Sequence, residues 1–153
     1  MAKKSAGILA YRRVNKELEV LLVHPGGPFF INKDAASWSI PKGEFPEDED
    51  PLTAAKREIH EELGFTPQGE YVPLSPVKQK SGKIVYAWAV ETDFDVANIV
   101  SNNFTIEWPP RSGKMKEFPE VDKAAWYNIT QARDKINPAQ AAFISELEEL
   151  LQH

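Results

Sequence analysis

Cysteine is absent from this 153-residue chain. Disulfides, thiolate nucleophiles and Cys-ligated zinc or iron–sulfur centres are therefore excluded. Histidine is almost as scarce: His24, His60 and His153 are scattered, which argues against a His-rich zinc site. What remains for a metal is oxygen ligation, the chemistry of magnesium, manganese or calcium. Long apolar runs are missing too. The longest, Ile84 to Val90, has seven residues, whereas a helix needs about 20 to span a bilayer. The run Ala6 to Ala10 behind Lys3 and Lys4 stops at Tyr11-Arg12-Arg13, too short for a secretory core. The expectation is a cytoplasmic protein with no membrane partner. Positive charge is in deficit. A net charge of −5 argues against a chain that coats nucleic acid by neutralising phosphates. It leaves room for a small phosphorylated substrate, for which a metal supplies the positive charge.

Leu, Ile, Val and Phe together number 38, enough for a packed core rather than a disordered chain. The length suits one domain over residues 1–153. The 12 prolines are spread as punctuation, which predicts many strands and loops and few helices. Ser5–Arg12 and Leu18–Val23 read as a hairpin about Val14-Asn15-Lys16. A Gly/Pro-containing loop, 25–37, carries Phe29 and Phe30, and Trp38-Ser39-Ile40 reads as a short strand. Its Pro25-Gly26-Gly27-Pro28 is no phosphate cradle, since no helix follows. Pro51–Leu63 is a helix, with Asp50 as N-cap, Pro51 at N1, an apolar stripe of Leu52, Ala55, Ile59 and Leu63, and Gly64 at the left-handed stop. Strands are predicted within 71–80 and 83–91 about a two-residue Ser81-Gly82 turn, at 104–108 and at 123–128. A second helix, 138–151, is capped by Asn137 and turns Phe143, Leu147, Leu150 and Leu151 to one side. The fold class is α+β, about six strands with helices on both faces.

The informative segment is Gly43 to Phe65, with eight acidic residues. Glu58, Glu61 and Glu62 stand at i, i+3 and i+4, on one helical face. Carboxylates so placed repel, and they sit toward the helix end where the dipole disfavours anions. A solvated acidic face is one reading. A divalent cation is the other: hard oxygen ligands on one face suit magnesium or manganese, which bridge to phosphates and activate water. A spare carboxylate can then take the water's proton, and Arg57 can fix carboxylate geometry with its planar fork.

In order, the segment runs Gly43, five residues, Glu49, seven residues, Arg57-Glu58-Ile59, His60, Glu61-Glu62, Leu63, Gly64-Phe65. This resembles the Nudix box, signature of the Nudix hydrolases, at every defined position and without a gap. The resemblance implies a Nudix α/β/α sandwich, a mixed sheet with helices on both faces. It also implies a pyrophosphohydrolase that cleaves phosphoanhydride bonds of nucleoside diphosphate-linked compounds with Mg2+ or Mn2+. It makes Glu58, Glu61 and Glu62 metal ligands, with Glu58 also the general base. Glu49 and Arg57 would form a bracing ion pair, Gly43 would allow a tight turn, and the Lys42 carbonyl would add a ligand. A further acidic ligand from a loop before a late strand is expected at Glu120, with Glu117 and Asp122 competing for the role.

Pro41-Lys42-Gly43 departs from the two-glycine lead-in of nucleotide-sanitising members. It looks like the branch that handles diadenosine and diphosphoinositol polyphosphates, with Lys42 meeting a phosphate. Lys42, Gly43, Arg111, Lys114 and Tyr86 are the expected substrate contacts, Arg111 and Lys114 lying in the Pro-stiffened loop 108–114. Phe29, Phe30, Tyr86, Trp88 and Trp108 are stacking candidates. Tyr86 lies farther past the box than the tyrosine that often marks dinucleoside polyphosphate hydrolases. The favoured substrates are diadenosine polyphosphate-like. Damaged nucleoside triphosphates or the 5′ end of RNA are the alternative, and a nucleotide-binding regulatory domain is the non-enzymatic one. The expected partner is a small phosphorylated nucleotide; oligomeric state is not encoded legibly.

Overall fold

The computed structural model describes residues 3–152; Met1, Ala2 and His153 lie outside the described residues. The chain runs β1 (Lys4–Val14), β2 (Glu17–Pro25), β3 (Lys42–Glu44), α1 (Pro51–Leu63), β4 (Val72–Pro73), β5 (Val77–Lys78) and β6 (Ile84–Glu91). It continues with β7 (Asn103–Glu107), β8 (Met115–Pro119), β9 (Val121–Asn128), α2 (Ile129–Lys135) and α3 (Ala141–Leu151). Single 3-10 turns occupy Val96–Asn98 and Pro138–Gln140.

Seven strands form one mixed sheet with the path β4-β6-β1-β2-β9; β3 joins β1, and β5 joins β6. β1 is central. It pairs in parallel with β6 from Lys4 to Tyr11. On its other edge it pairs with β3 at Ser5–Gly7 and with β2 at Tyr11–Val14. Strand alternation sends Ala6, Ile8 and Ala10 to one face, where Ala54, Ala55, Ile59 and Leu63 of α1 cover them. Leu9, Val20 and Leu22 face the other side, against Ala132 of α2 and Phe143, Ile144 and Leu147 of α3. Helices thus close both faces of the sheet, the sandwich expected from the sequence.

Several boundaries differ from the sequence reading, each for a local reason. The β1–β2 hairpin turns through Asn15 and Lys16, both at positive φ. The 71–80 strand survives only as two-residue β4 and β5, because Leu74-Ser75-Pro76 lies between them. The β5–β6 turn holds three residues rather than two: the Gln79 N–H donates to the Lys83 carbonyl at 2.8 Å, and the turn closes at Gly82, φ +93°. β8 and α2 were not foreseen. α2 begins in a capping box, with Asn128 and Gln131 each bonding the other's backbone. The late helix starts at Ala141, after the 3-10 turn, and Leu150 faces solvent while Ile144 takes its core place.

Trp38-Ser39-Ile40 is not a strand but a wedge between β1 and β2. The Val23 N–H donates to the Ser39 carbonyl at 2.8 Å, and the Ser39 N–H returns the bond at 3.0 Å. The Ile8 N–H donates to the Pro41 carbonyl at 3.1 Å. A Cβ on Gly7 would lie 2.5 Å from that carbonyl oxygen, so a bare glycine lets the wedge seat. Beyond the wedge the sheet forks, and the gap between β2 and β3 becomes a cleft. No helix among the described residues is long and apolar enough to cross a membrane, which says nothing of strands.

Candidate active site

Helix α1 carries the acidic face. The Asp50 carboxylate accepts from the Thr53 backbone N–H at 3.0 Å, and Pro51 sits in the first turn. Gly64 closes the helix at φ +75°, its N–H donating to the His60 carbonyl at 2.7 Å. Between these caps the buried face holds Ala54, Ala55, Ile59 and Leu63, together with two carboxylates, Glu58 at 8% exposure and Glu62 at 7%.

Glu58 lies on β3. A Cβ on Gly43 would come within 2.1 Å of the Glu58 carboxyl carbon. Gly43 is therefore needed for close approach, not for the tight turn expected from the sequence; it is an ordinary strand residue paired with Ala6. Arg57 then ties the acids together. Its Nε and Nη2 donate to the two Glu49 oxygens at 3.0 and 2.9 Å, the expected brace. Its Nη1 reaches Glu58 at 3.0 Å and Glu61 at 3.2 Å. The Glu49 bonds raise the Arg57 pKa, and the same pairing holds the Glu49 carboxyl below its usual range.

Glu120 arrives from the β8–β9 junction. Its N–H donates to the Asn102 carbonyl at 2.8 Å, and its carbonyl accepts from the Gly26 N–H at 2.9 Å. So anchored, Glu120 brings a carboxylate oxygen within 4.8 Å of oxygens on both Glu58 and Glu61. The two competitors are engaged elsewhere: Glu117 accepts from the Asn103 amide at 3.0 Å, and Asp122 lies 2.7 Å from His24 Nδ1. His24 is fully buried, and its other ring nitrogen sits 2.7 Å from the Lys33 carbonyl. It serves as a structural pin between β9 and the 26–37 loop. Glu62 is not in the three-acid group. It faces Lys42 and the cleft, and its Oε2 is buried without any hydrogen-bond partner.

The electrostatics follow from this crowding. Burial first, then the Glu61 charge, pushes the Glu58 carboxyl up, against the pull of Arg57. Burial and the Glu58 and Glu120 charges push Glu62 well above the ordinary range, with Lys42 opposing. Glu120 rises through burial and the Glu61 charge. Lys42 falls, mainly by burial and then by repulsion from Lys83. An orphaned buried carboxylate oxygen and three converging ones make an excess of hard negative oxygen, a donor set that fits a hard divalent cation. Glu58, Glu61 and Glu120 could hold such an ion, with Glu62 beside them.

The cleft opened by the forked sheet begins here. It encloses about 460 Å³. Lys42, Glu62 and Glu120 line one end, and Phe30, Lys33, Asn137 and Gln140 line the rest. Gln140 is buried, its Oε1 accepting from the Ile40 N–H at 3.0 Å and its amide donating to Ser39 Oγ at 3.0 Å, so it holds the wedge. Lys33, Asn137 and Gln140 were missed by sequence reasoning; only the cap role of Asn137 was readable, and it is present. Phe30 lines the cleft, whereas Phe29 meets Trp108 edge-to-face at 5.5 Å. Tyr86 is half-buried beside Phe45 at 6.3 Å, and Trp88 packs on the α1 side of the core. Arg111 and Lys114 are exposed at the tip of the β7–β8 hairpin. Neither they nor Tyr86 borders this cleft.

The α/β/α sandwich thus sets clustered carboxylates at the mouth of a Lys-lined cleft. The NUDIX domain family model matches residues 1–147, and the chain belongs to the Nudix family, enzymes that hydrolyse nucleoside diphosphate derivatives. Solved structures agree on the fold. The Ap4A hydrolase of C. elegans, in a binary complex, is 20% identical with a TM-score of 0.67 over 97% of this chain and 98% of its own. The NUDIX domain of Shewanella oneidensis NrtR, complexed with ADP ribose, is 16% identical with a TM-score of 0.69 over 99% and 89%. A MutT structure from work on Aliivibrio salmonicida and Vibrio cholerae is 14% identical with a TM-score of 0.57 over 94% and 93%. No curated protein matches the chain.

Proposed function

We propose that this chain is a single-domain, cytoplasmic pyrophosphohydrolase using Mg2+ or Mn2+, and that diadenosine polyphosphate-like compounds are its favoured substrates. The observation that carries the reading is the convergence of Glu58, Glu61 and Glu120 oxygens within 4.8 Å at the end of a cleft lined by Lys42 and Lys33. A bound divalent ion supplies charge neutralisation for the phosphates and acidifies the attacking water.

The chain's own residues do the rest. Glu58, seated on Gly43 and restrained by Arg57, serves as ligand and general base. Glu61, Glu62 and Glu120 complete the acidic surround. Arg57 and Glu49 are positioning residues that fix where the carboxylates stand. Lys42 lines the same end of the cleft as Glu62, and its ammonium would meet a substrate phosphate there. The proposed substrate contacts are Lys42 and the Gly43 backbone. Arg111, Lys114 and Tyr86 border no described cleft and are left out of that set.

The test is a panel of diadenosine polyphosphates, ADP-ribose, ordinary and oxidised nucleoside triphosphates and 5′-triphosphorylated RNA, each with Mg2+ and Mn2+, products resolved by chromatography. The highest kcat/KM is expected for a diadenosine polyphosphate. A higher value for oxidised nucleotide or RNA moves the chain to another substrate class, and no turnover of any diphosphate-linked compound ends the reading.

A further inference from the structure

Glu120 is the single residue between β8, which ends at Pro119, and β9, which begins at Val121. It belongs to neither ladder. Beside it the regular pairing fails, because the β2–β9 register slips between His24 and Pro25, the partner of Val121. Val121 is nearly inaccessible, so its N–H needs an acceptor inside the protein. That acceptor is the half-buried hydroxyl of Ser101, 3.0 Å away.

Ser101 lies in the segment that joins the Val96–Asn98 turn to β7. That segment is fastened to the end of α1. The Val100 N–H donates to the Leu63 carbonyl at 3.0 Å, and the Asn102 N–H to the Glu61 carbonyl at 2.7 Å. These bonds satisfy two of the carbonyls that a helix end leaves open. The Asn102 carbonyl in turn accepts the Glu120 N–H at 2.8 Å. One residue therefore links the main chains of Glu61 and Glu120, two of the three acids whose oxygens converge. Ser101 Oγ donates to the same Asn102 carbonyl at 2.9 Å. A hydroxyl has one proton to give and lone pairs to receive another. Both bonds of Ser101 are thus compatible, and together they bracket the Asn102–Glu120 contact.

We propose that Ser101 is a positioning residue for Glu120: its hydroxyl clamps the chain at Glu120 to the segment fastened on α1, and so sets where the Glu120 carboxylate stands relative to Glu58 and Glu61. The proposal rests on the reading that these acids hold a divalent ion. Without the hydroxyl the Asn102–Glu120 bond remains, but the Val121 N–H loses its partner and Glu120 gains freedom to swing away. Like charge pushes it in that direction until an ion is bound. The clamp therefore acts on metal affinity, and it acts through Glu120. A serine that merely finishes a loop would affect folding, and its effect on metal binding would not depend on Glu120.

The test is Mn2+ binding to the full chain without substrate, followed by the electron paramagnetic resonance signal of free Mn2+, with a melting curve to show that each variant is folded. Ser101→Ala should weaken Mn2+ binding about tenfold. Ser101→Thr, which keeps the hydroxyl, should restore it. Ser101→Cys, a poorer donor and acceptor, should fall between the two, and it decides the matter if the alanine variant does not fold. In a Glu120→Gln background the Ser101→Ala step should cost no further affinity. An equal loss in both backgrounds, or a loss that threonine does not recover, leaves Ser101 a structural residue and overturns the proposal. If Glu120→Gln weakens binding while Ser101→Ala does not, the metal site stands and the clamp alone falls. If the wild type binds no Mn2+, or Glu120→Gln binds it equally well, the reading of the site falls and the clamp falls with it.

Discussion

On one face of the sheet, α3 presents Phe143, Ile144 and Leu147, all essentially inaccessible, to an apolar wall. On the other, α1 presents Ala54, Ala55, Ile59 and Leu63 mixed with Glu58 and Glu62, each under a tenth exposed. The first arrangement is favourable at every position, about 1.5–3 kcal/mol for each large side chain. The second opposes itself: apolar burial holds the helix down while desolvated, mutually repelling carboxylates push against it. Local devices offset that cost, namely the Asp50 cap, the left-handed Gly64 and the Arg57 fork. The difference teaches which layer is there to fold and which to react.

That contrast can be broken most severely at Glu58. Glu58→Gln keeps shape and removes the base and a charge; kcat should fall about 10³-fold, with circular dichroism and melting little changed. A loss below tenfold would move the general base to another carboxylate. Phe143→Ala should do the reverse, costing about 3–5 kcal/mol in denaturant unfolding through the cavity it leaves, while the folded fraction retains its kcat. A smaller effect follows at the contact between sheet and acid. Gly43→Ala must displace the Glu58 carboxylate, and metal affinity or activity should drop about 10- to 100-fold; unaltered metal titration would show that the glycine is needed only by the strand.

The smallest effect carries the sharpest sign. The fold holds the Glu62 carboxyl above its ordinary value of 4.5, so the folded chain binds that proton more tightly than the unfolded chain. Metal-free stability should therefore decline as pH rises from about 4.5 through the raised value. Glu62→Gln should stabilise the metal-free protein at neutral pH by about 1 kcal/mol and flatten that slope. Magnesium should stabilise the wild type more than the variant. A variant less stable than the wild type in chelator would show that the orphaned oxygen is not under strain.

Legibility followed sequence separation. α1, its caps and its acidic face were readable because helix periodicity, Asp50, Gly64 and the 58–61–62 spacing are local features. The β1–β2 hairpin was equally plain. Glu120 was reachable only through the order of elements in a family, and Glu62 was expected among the clustered ligands where the structure groups Glu58, Glu61 and Glu120. What escaped was assembled from distance. Val23, Ser39, Lys42, Val121 and Asn137 meet in one cleft through pairings that no window of the sequence contains. α2 escaped for another reason: its seven residues contribute one fully buried side chain, Ala132, too little for a periodic signal.

The wedge at Trp38–Pro41 has a mechanical consequence. The 26–37 segment leaves β2 and returns to it, fastened at one end by the Gly26–Glu120 backbone bond and at the other by the Ser39–Val23 pair. Between those rivets the main chain is held at the Lys33 carbonyl by His24 and at the Ala36 N–H by the Asp134 carbonyl, while the Phe30 and Lys33 side chains line the cleft. The Lys33 and Phe30 side chains can be changed while the carboxylates of α1 stay on the Gly43 backbone. The molecule thus separates a fixed anvil from an interchangeable jaw, and substrate choice can drift through the jaw while the chemistry stays where β3 and α1 set it.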